Sequence, residues 1–142
     1  MATVRVTHHL NNAAIARLLV SDKVANSMFV RGLLVESAAK VELSSGPPRR
    51  VDTGRLRASI FTRRIRRLGL RGARVGTNVA YGLMVHNGTG IFGPRHAPIR
   101  PRRARVLVFI PRGQTHPVFA HSVRGMEANP YLRNALPAAR IA

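Results

Sequence analysis

The segment from residue 8 to residue 45 constrains the fold more than any other part of this 142-residue chain. Leu10, Ala14 and Leu18, then Val24, Met28, Val35, Ala38 and Ala39, with Arg31 interrupting, recur at the three- and four-residue spacing that lines one side of an α-helix. Ser21-Asp22 supplies an N-cap in the middle. Ser44-Ser45-Gly46-Pro47-Pro48 ends the segment, because glycine takes up the turn and proline cannot continue a helix. The spacing therefore predicts a short helix near 10–20 and a longer one near 22–44. Phe29, Val30, Leu33 and Leu34 fall outside the narrowest stripe, so the long helix is expected to pack against more than one neighbour, a sheet of its own chain or an adjacent subunit.

Downstream the period changes. Ten arginines fall between residues 49 and 75, and Ser59, Phe61 and Ile65 alternate with Ile60, Thr62, Arg64 and Arg66 in the two-residue period of a strand. Leu68 to Gly72 supplies a turn and Ala73 to Thr77 a return strand, which makes a hairpin. Tyr81 to His86 has room for one or two turns of helix, closed by Asn87-Gly88. Three glycines and three prolines in 88–105 predict an extended loop, and Val106 to Ile110 reads as a buried strand with Val118 to Val123 as its partner. Pro130 suits the first turn of a last helix over 130–136. The expected fold is α+β in a single domain over 1–142. It has a long helical arm (8–45) packed on a small antiparallel sheet of about four strands, within a core region 51–142 that carries the extended loop 88–105 and a short C-terminal helix.

The formal net charge is +19, from 24 Lys and Arg against five acids: Asp22, Glu36, Glu42, Asp52 and Glu127. Such an excess repels itself in a compact monomer and points to acidic or polyanionic neighbours. Only Lys23 and Lys40 are lysines; a GC-rich coding sequence would favour arginine by itself, so the net charge weighs more than the Arg-to-Lys ratio. The absence of cysteine removes disulfides, thiolate nucleophiles and cysteine-held metals. No apolar run approaches the ~18 residues of a membrane span, and the polar start is no secretory signal, so a soluble chain made in a cytoplasm is expected, with no membrane partner.

Chemistry-bearing patterns are weak. Gly88-Thr89-Gly90-Ile91-Phe92-Gly93 matches the dinucleotide-binding glycine spacing, but Pro94, Pro98 and Pro101 forbid the helix whose N-terminus would hold a pyrophosphate. The six histidines lack the i, i+4 spacing of paired metal ligands, and acids are scarce. Glu36 and Glu42 fall on different helix faces, Asp52 suits a turn or cap, and no Gly-x-Ser-x-Gly elbow surrounds a serine. No enzyme, cofactor, metal or small-molecule substrate is expected. The arginines divide two ways: Arg63, Arg64, Arg66 and Arg67 (with Arg71 and Arg74) on the hairpin, and Arg95, Arg100, Arg102, Arg103 and Arg105 on the loop. They suit phosphate contact or acidic residues of other subunits, and their fall on both faces of the strand pattern favours a divided arrangement over one continuous basic track.

Four short cassettes occur in fixed order: Val51-Asp52-Thr53-Gly54-Arg55-Leu56-Arg57-Ala58-Ser59-Ile60, Val75-Gly76-Thr77-Asn78-Val79-Ala80-Tyr81, His86-Asn87-Gly88-Thr89-Gly90 and Asn129-Pro130-Tyr131-Leu132-Arg133-Asn134-Ala135-Leu136. Together they resemble the neck and tail-completion proteins of long-tailed double-stranded DNA bacteriophages, over roughly residues 10 to 140. The resemblance implies a virion protein of the head–tail junction, assembled in the host cytoplasm as a ring-shaped homo-oligomer beside head-closure, tail-terminator or tail-tube proteins and acting by protein contact. It makes Asp52, Thr53 and Gly54 the turn after the long helix, Gly76 and Thr77 part of a strand, Tyr81, Gly88 and Thr89 a short helix and its exit, and Pro130 and Leu132 part of the last helix. Where family members often carry an acid before the Gly-Thr exit, this chain has His86-Asn87. Charge alone supports a different reading, a free basic nucleic-acid-binding or architectural protein, and non-specific proximity to double-stranded DNA is compatible with both.

Overall fold

The computed structural model describes residues 11–45, 54–111 and 113–140. Helix α1 (Asn12–Leu19) is capped by the Asn11 side chain, which accepts from Ala14 N at 3.0 Å. Helix α2 (Asp22–Ser45) starts where Ser21 Oγ accepts from Val24 N, with Asp22 placed favourably against the partial positive charge of the helix start. Two helices meeting at Ser21 is what the sequence pattern predicts. The two differ in packing: every residue of α1 is exposed, whereas α2 buries Ala25, Gly32, Val35, Ala39 and Leu43. The buried stripe of α2 thus runs through Gly32 and Leu43, and Met28, assigned to it from spacing, lies outside.

After one helical turn, α3 (Arg55–Ala58), strands β1 (Ile60–Arg67) and β2 (Leu70–Thr77) form an antiparallel ribbon in register Ile60 opposite Thr77 to Arg67 opposite Leu70. The left-handed Gly54 starts the α3 turn, and the strand begins only after Ser59. Leu68 and Gly69 both have positive φ, 51° and 79°, the two-residue turn whose twist matches a hairpin; the turn is thus shorter than the expected Leu68 to Gly72, and Leu70 to Gly72 belong to the return strand. Helix α2 packs across both strands of this ribbon, and α4 (Gly82–Asn87) and α5 (Tyr131–Ala135, continued by a 3₁₀ turn to Arg140) close the body. Val35, Ala39, Leu43, Leu56, Ile60, Val85, Tyr131 and Ala135 form one core cluster.

The class is α+β, as the sequence indicates, but the four strands make two separate two-stranded sheets. Strands β3 (Leu107–Phe109) and β4 (Val118–Ala120) pair only with each other. The segment 106–110 is therefore no buried strand: Val108, Phe109 and Ile110 are exposed. β-Branched and aromatic composition marks a strand, and what covers it is decided elsewhere.

Loop 88–105, expected to be extended, is partly fixed on its own chain. Its first part is held by its own chain: Thr89 N and Ile91 N donate to the Met126 and Arg124 carbonyls, and Ile99 bridges to Val123. Gly90–Phe92 forms a 3₁₀ turn. Residues 94–100 and 102–105 are exposed.

Candidate functional site

The cassette residues organise the body. Asp52 and Thr53 lie outside the described residues. Gly54 has φ 73° and begins α3. Thr77, opposite Ile60, shares a 2.6 Å hydrogen bond with Ser59 Oγ and accepts from Val79 N, which fixes the exit from β2. Gly76 stands opposite Phe61. Tyr81 caps α4 and is exposed; Gly88, φ 77°, ends it and is buried. Thr89 Oγ1 accepts from Met126 N at 2.9 Å, tying the exit of α4 to the strand-like segment before α5. Pro130 precedes α5, and Leu132 packs against the core, half-buried. Gly76, Thr77 and Leu132 line one recess with Tyr131, whose hydroxyl is pushed above its usual pKa by burial. His86 meets the Tyr131 ring edge-on, centroids 5.4 Å apart.

Two positions that sequence reasoning passed over govern the packing. At Gly32 a Cβ would lie 2.7 Å from Thr62 Cγ2 and 3.0 Å from Ala73 Cβ, so the missing side chain lets α2 sit directly on the ribbon. Gly82 plays the same part between Thr77 and Leu56. The available signal was a lone glycine inside a helical pattern, which costs ~1 kcal/mol against alanine and so implies a packing reason.

The hairpin arginines are sorted by strand alternation. Thr62, whose hydroxyl donates to the Gly32 carbonyl, marks the face of β1 toward α2. Arg64 and Arg66 share that side. Arg64 donates to Asn26 Oδ1 at 2.8 Å and stacks over Phe29, and Arg71 of β2 pairs with Asp22. The opposite face carries Phe61, Arg63, Ile65 and Arg67 from β1, and Leu70, Gly72, Arg74 and Gly76 from β2. Arg63 and Arg74 are direct cross-strand partners there, both exposed, and no side chain among the described residues pairs with Arg63, Arg67 or Arg74. Arg95, Arg100, Arg102, Arg103 and Arg105 are exposed along the loop; Arg95, Arg100 and Arg102 rim an open cleft of about 600 Å³ floored by Met84, Pro94, Pro98 and Ile99. The divided arrangement expected for β1 is what the register gives.

The described acids are engaged within the chain. Asp22 pairs with Arg71, Glu36 with Lys40, Glu42 accepts from Asn134 Nδ2, and Glu127 also has an interaction. Burial alone would raise the Glu36 pKa, but the hydrogen bonds and charge of Lys40, with Thr62 beside it, hold it below the usual carboxylate value. No group of three metal-ligating side chains occurs among the described residues. Past Gly93 the chain bends at Pro94 and Arg95, so no helix N-terminus follows the Gly88–Gly93 pattern. No helix among the described residues is long and apolar enough to cross a membrane. Comparison with protein families, curated proteins and solved structures finds no match to this chain.

Proposed function

We propose that this chain is a structural component of a tailed-phage virion at the head–tail junction, assembling as a ring through contacts between copies and with adjacent neck or tail proteins. The observation that carries the reading is the uncovered β3–β4 hairpin. Val108 and Phe119 are 58 and 65% exposed on a two-stranded element that no other element packs against extensively, and Ile110, just past β3, is 62% exposed. An isolated hairpin is marginal in water, and apolar side chains left exposed on one favour cover from another molecule. The outward side of α2 adds Val30, Leu33, Leu34 and Val41, a second apolar surface on a different part of the chain. Two unlike surfaces on one subunit suit a head-to-tail interface, which closes into a ring when the rotation permits. The order of the four cassettes supplies the particular setting.

The test is the mass and symmetry of the native protein, by sedimentation and particle imaging. Closed rings are the expected outcome; a single copy at every concentration and salt would refute the reading.

A further inference from the structure

The geometry points to the outward face of the β1–β2 ribbon as a sequence-independent contact surface for double-stranded nucleic acid, with Arg63, Arg67 and Arg74 as the phosphate-binding groups. The inference goes beyond ring assembly and does not depend on it.

The two faces of one ribbon differ in how their charge is met. On the face toward α2, Arg66 and Arg71 stand directly opposite each other, and the repulsion is relieved by Asp22 on Arg71, while the neighbouring Arg64 is held by Asn26 and the Phe29 ring. On the outward face Arg63 and Arg74 stand opposite each other with Arg67 further along, and no described acid approaches them. Like charges directly opposite on a sheet are destabilising, so this face favours an anionic partner. A second copy of the chain is a poor source of that anion. Only five acids are present, and the four described ones are already engaged within their own subunit.

Among other partners, duplex nucleic acid fits the form of the face. Gly72 and Gly76 stand on either side of Arg74 on this face of β2, so the relief beside that arginine is low and a rod can approach the backbone. Arg63 and Arg67 are four residues apart, roughly 13 Å along a strand, and a cross-strand pair such as Arg63 and Arg74 has Cβ atoms about 5 Å apart. A duplex offers one negative charge per about 1.7 Å of axis, and its major groove is wide enough for a two-stranded ribbon. Phe61 and Ile65, interleaved with the arginines, give apolar surface that can lie against the deoxyribose of the duplex backbone, a contact that carries no sequence information. The guanidinium fork matches phosphate oxygens in pairs.

The test is binding of the full chain to a short random-sequence DNA duplex between about 50 and 200 mM salt. A protein of this charge will associate with DNA somewhere, so the readout is a contrast between two variants that lose the same charge. Arg63→Ala/Arg67→Ala/Arg74→Ala is expected to lower the slope of log K against log salt by about 2.7, at about 0.9 per phosphate contact. Arg102→Ala/Arg103→Ala/Arg105→Ala is expected to lower it by less than about one such contact. Arg63→Lys/Arg67→Lys/Arg74→Lys should retain the slope. If the triple alanine variant does not fold, Arg74→Ala alone should lower the slope by about 0.9.

Equal losses in the two triple variants would overturn the proposal, since they would mean diffuse attraction. So would binding of poly-L-glutamate as tight as duplex binding and equally sensitive to the ribbon variant, which would assign the face to carboxylates of a protein. Loss of oligomer mass in the ribbon variant would reassign the face to contact between copies. Rings that form but ignore DNA refute this proposal alone, and DNA binding through the ribbon by a protein that never forms rings refutes the assembly reading alone.

Discussion

The two hairpins of this chain, one rich in arginine and the other wholly uncharged in its strands, differ above all in what they lean on. The β1–β2 ribbon runs eight residues a side and closes through a two-residue turn; α2 lies across it, with Gly32 removing the side chain that would hold the layers apart. The β3–β4 hairpin runs three residues a side, closes through a longer proline-containing loop, and carries its apolar residues into solvent. Local composition made both into hairpins. Only the first has a helix with a matching face, so only the first contributes to a core. Stability and assembly are therefore expected to reside in different hairpins.

The largest effect on this contrast should come from Tyr131→Ala. Tyr131 is 1% exposed at the point where α5 meets α4 and the end of the ribbon, and truncating a buried large aromatic costs about 3–5 kcal/mol. A core this small should then be largely unfolded, read as loss of the cooperative thermal transition. A variant that melts like the parent would mean that the body is not the stable part. Next is Gly32→Val. A Cβ alone would meet Thr62 and Ala73 at 2.7 and 3.0 Å, so the branched side chain should overpack the helix–ribbon interface by about 1–3 kcal/mol. Denaturant midpoints measure it, and an unchanged midpoint would show that α2 rides loosely on the ribbon. Gly54→Val is expected to cost a comparable amount, read by the same denaturant midpoints. No neighbour obstructs its Cβ, so the penalty is the left-handed backbone alone, about 1–3 kcal/mol at a site beside the end of the described core.

How far these features could be read beforehand follows from the same physics. The helix break at Ser21, the end of α4 at Gly88 and the start of α5 after Pro130 are local: a cap, a positive φ or a missing N–H fixes them within a few residues, and they are legible in the sequence, as is a turn beginning at Leu68, though not its two-residue length. The division of four strands into two sheets is not local. It depends on α2 having one face for a ribbon and none for a second, which no period in 106–123 reveals. The sorting of arginines was half-legible, because alternation separates Arg63 and Arg67 from Arg64 and Arg66 but does not say which side meets α2. That was settled by Gly32, whose missing side chain and carbonyl lie against Thr62. The pinning of loop 88–105 to 123–126 does not follow from periodicity; its residue signature is Gly90 and Gly125, at φ 65° and 92°, where a Cβ would strike the backbone of the facing segment.

The smallest effect on stability, and the most informative for the comparison, is expected from Phe119→Ser on β4. Phe119 is 65% exposed, and a substitution at an exposed site away from the core normally changes stability by no more than about 0.5 kcal/mol. The thermal midpoint of the dissociated protein should therefore stay where it is. Assembly is another matter. If a neighbouring copy covers this hairpin, the lost ring buries apolar area worth about 1.5–3 kcal/mol per contact, so dissociation should shift to concentrations about tenfold higher or more. Sedimentation across a dilution series, paired with thermal melts of the dilute protein, reads both quantities from one preparation. A variant that keeps its midpoint and loses its oligomer places assembly in the second hairpin and stability in the first. One that loses midpoint and oligomer together would make β3–β4 part of the folded body, and the contrast between the two hairpins would fall with it.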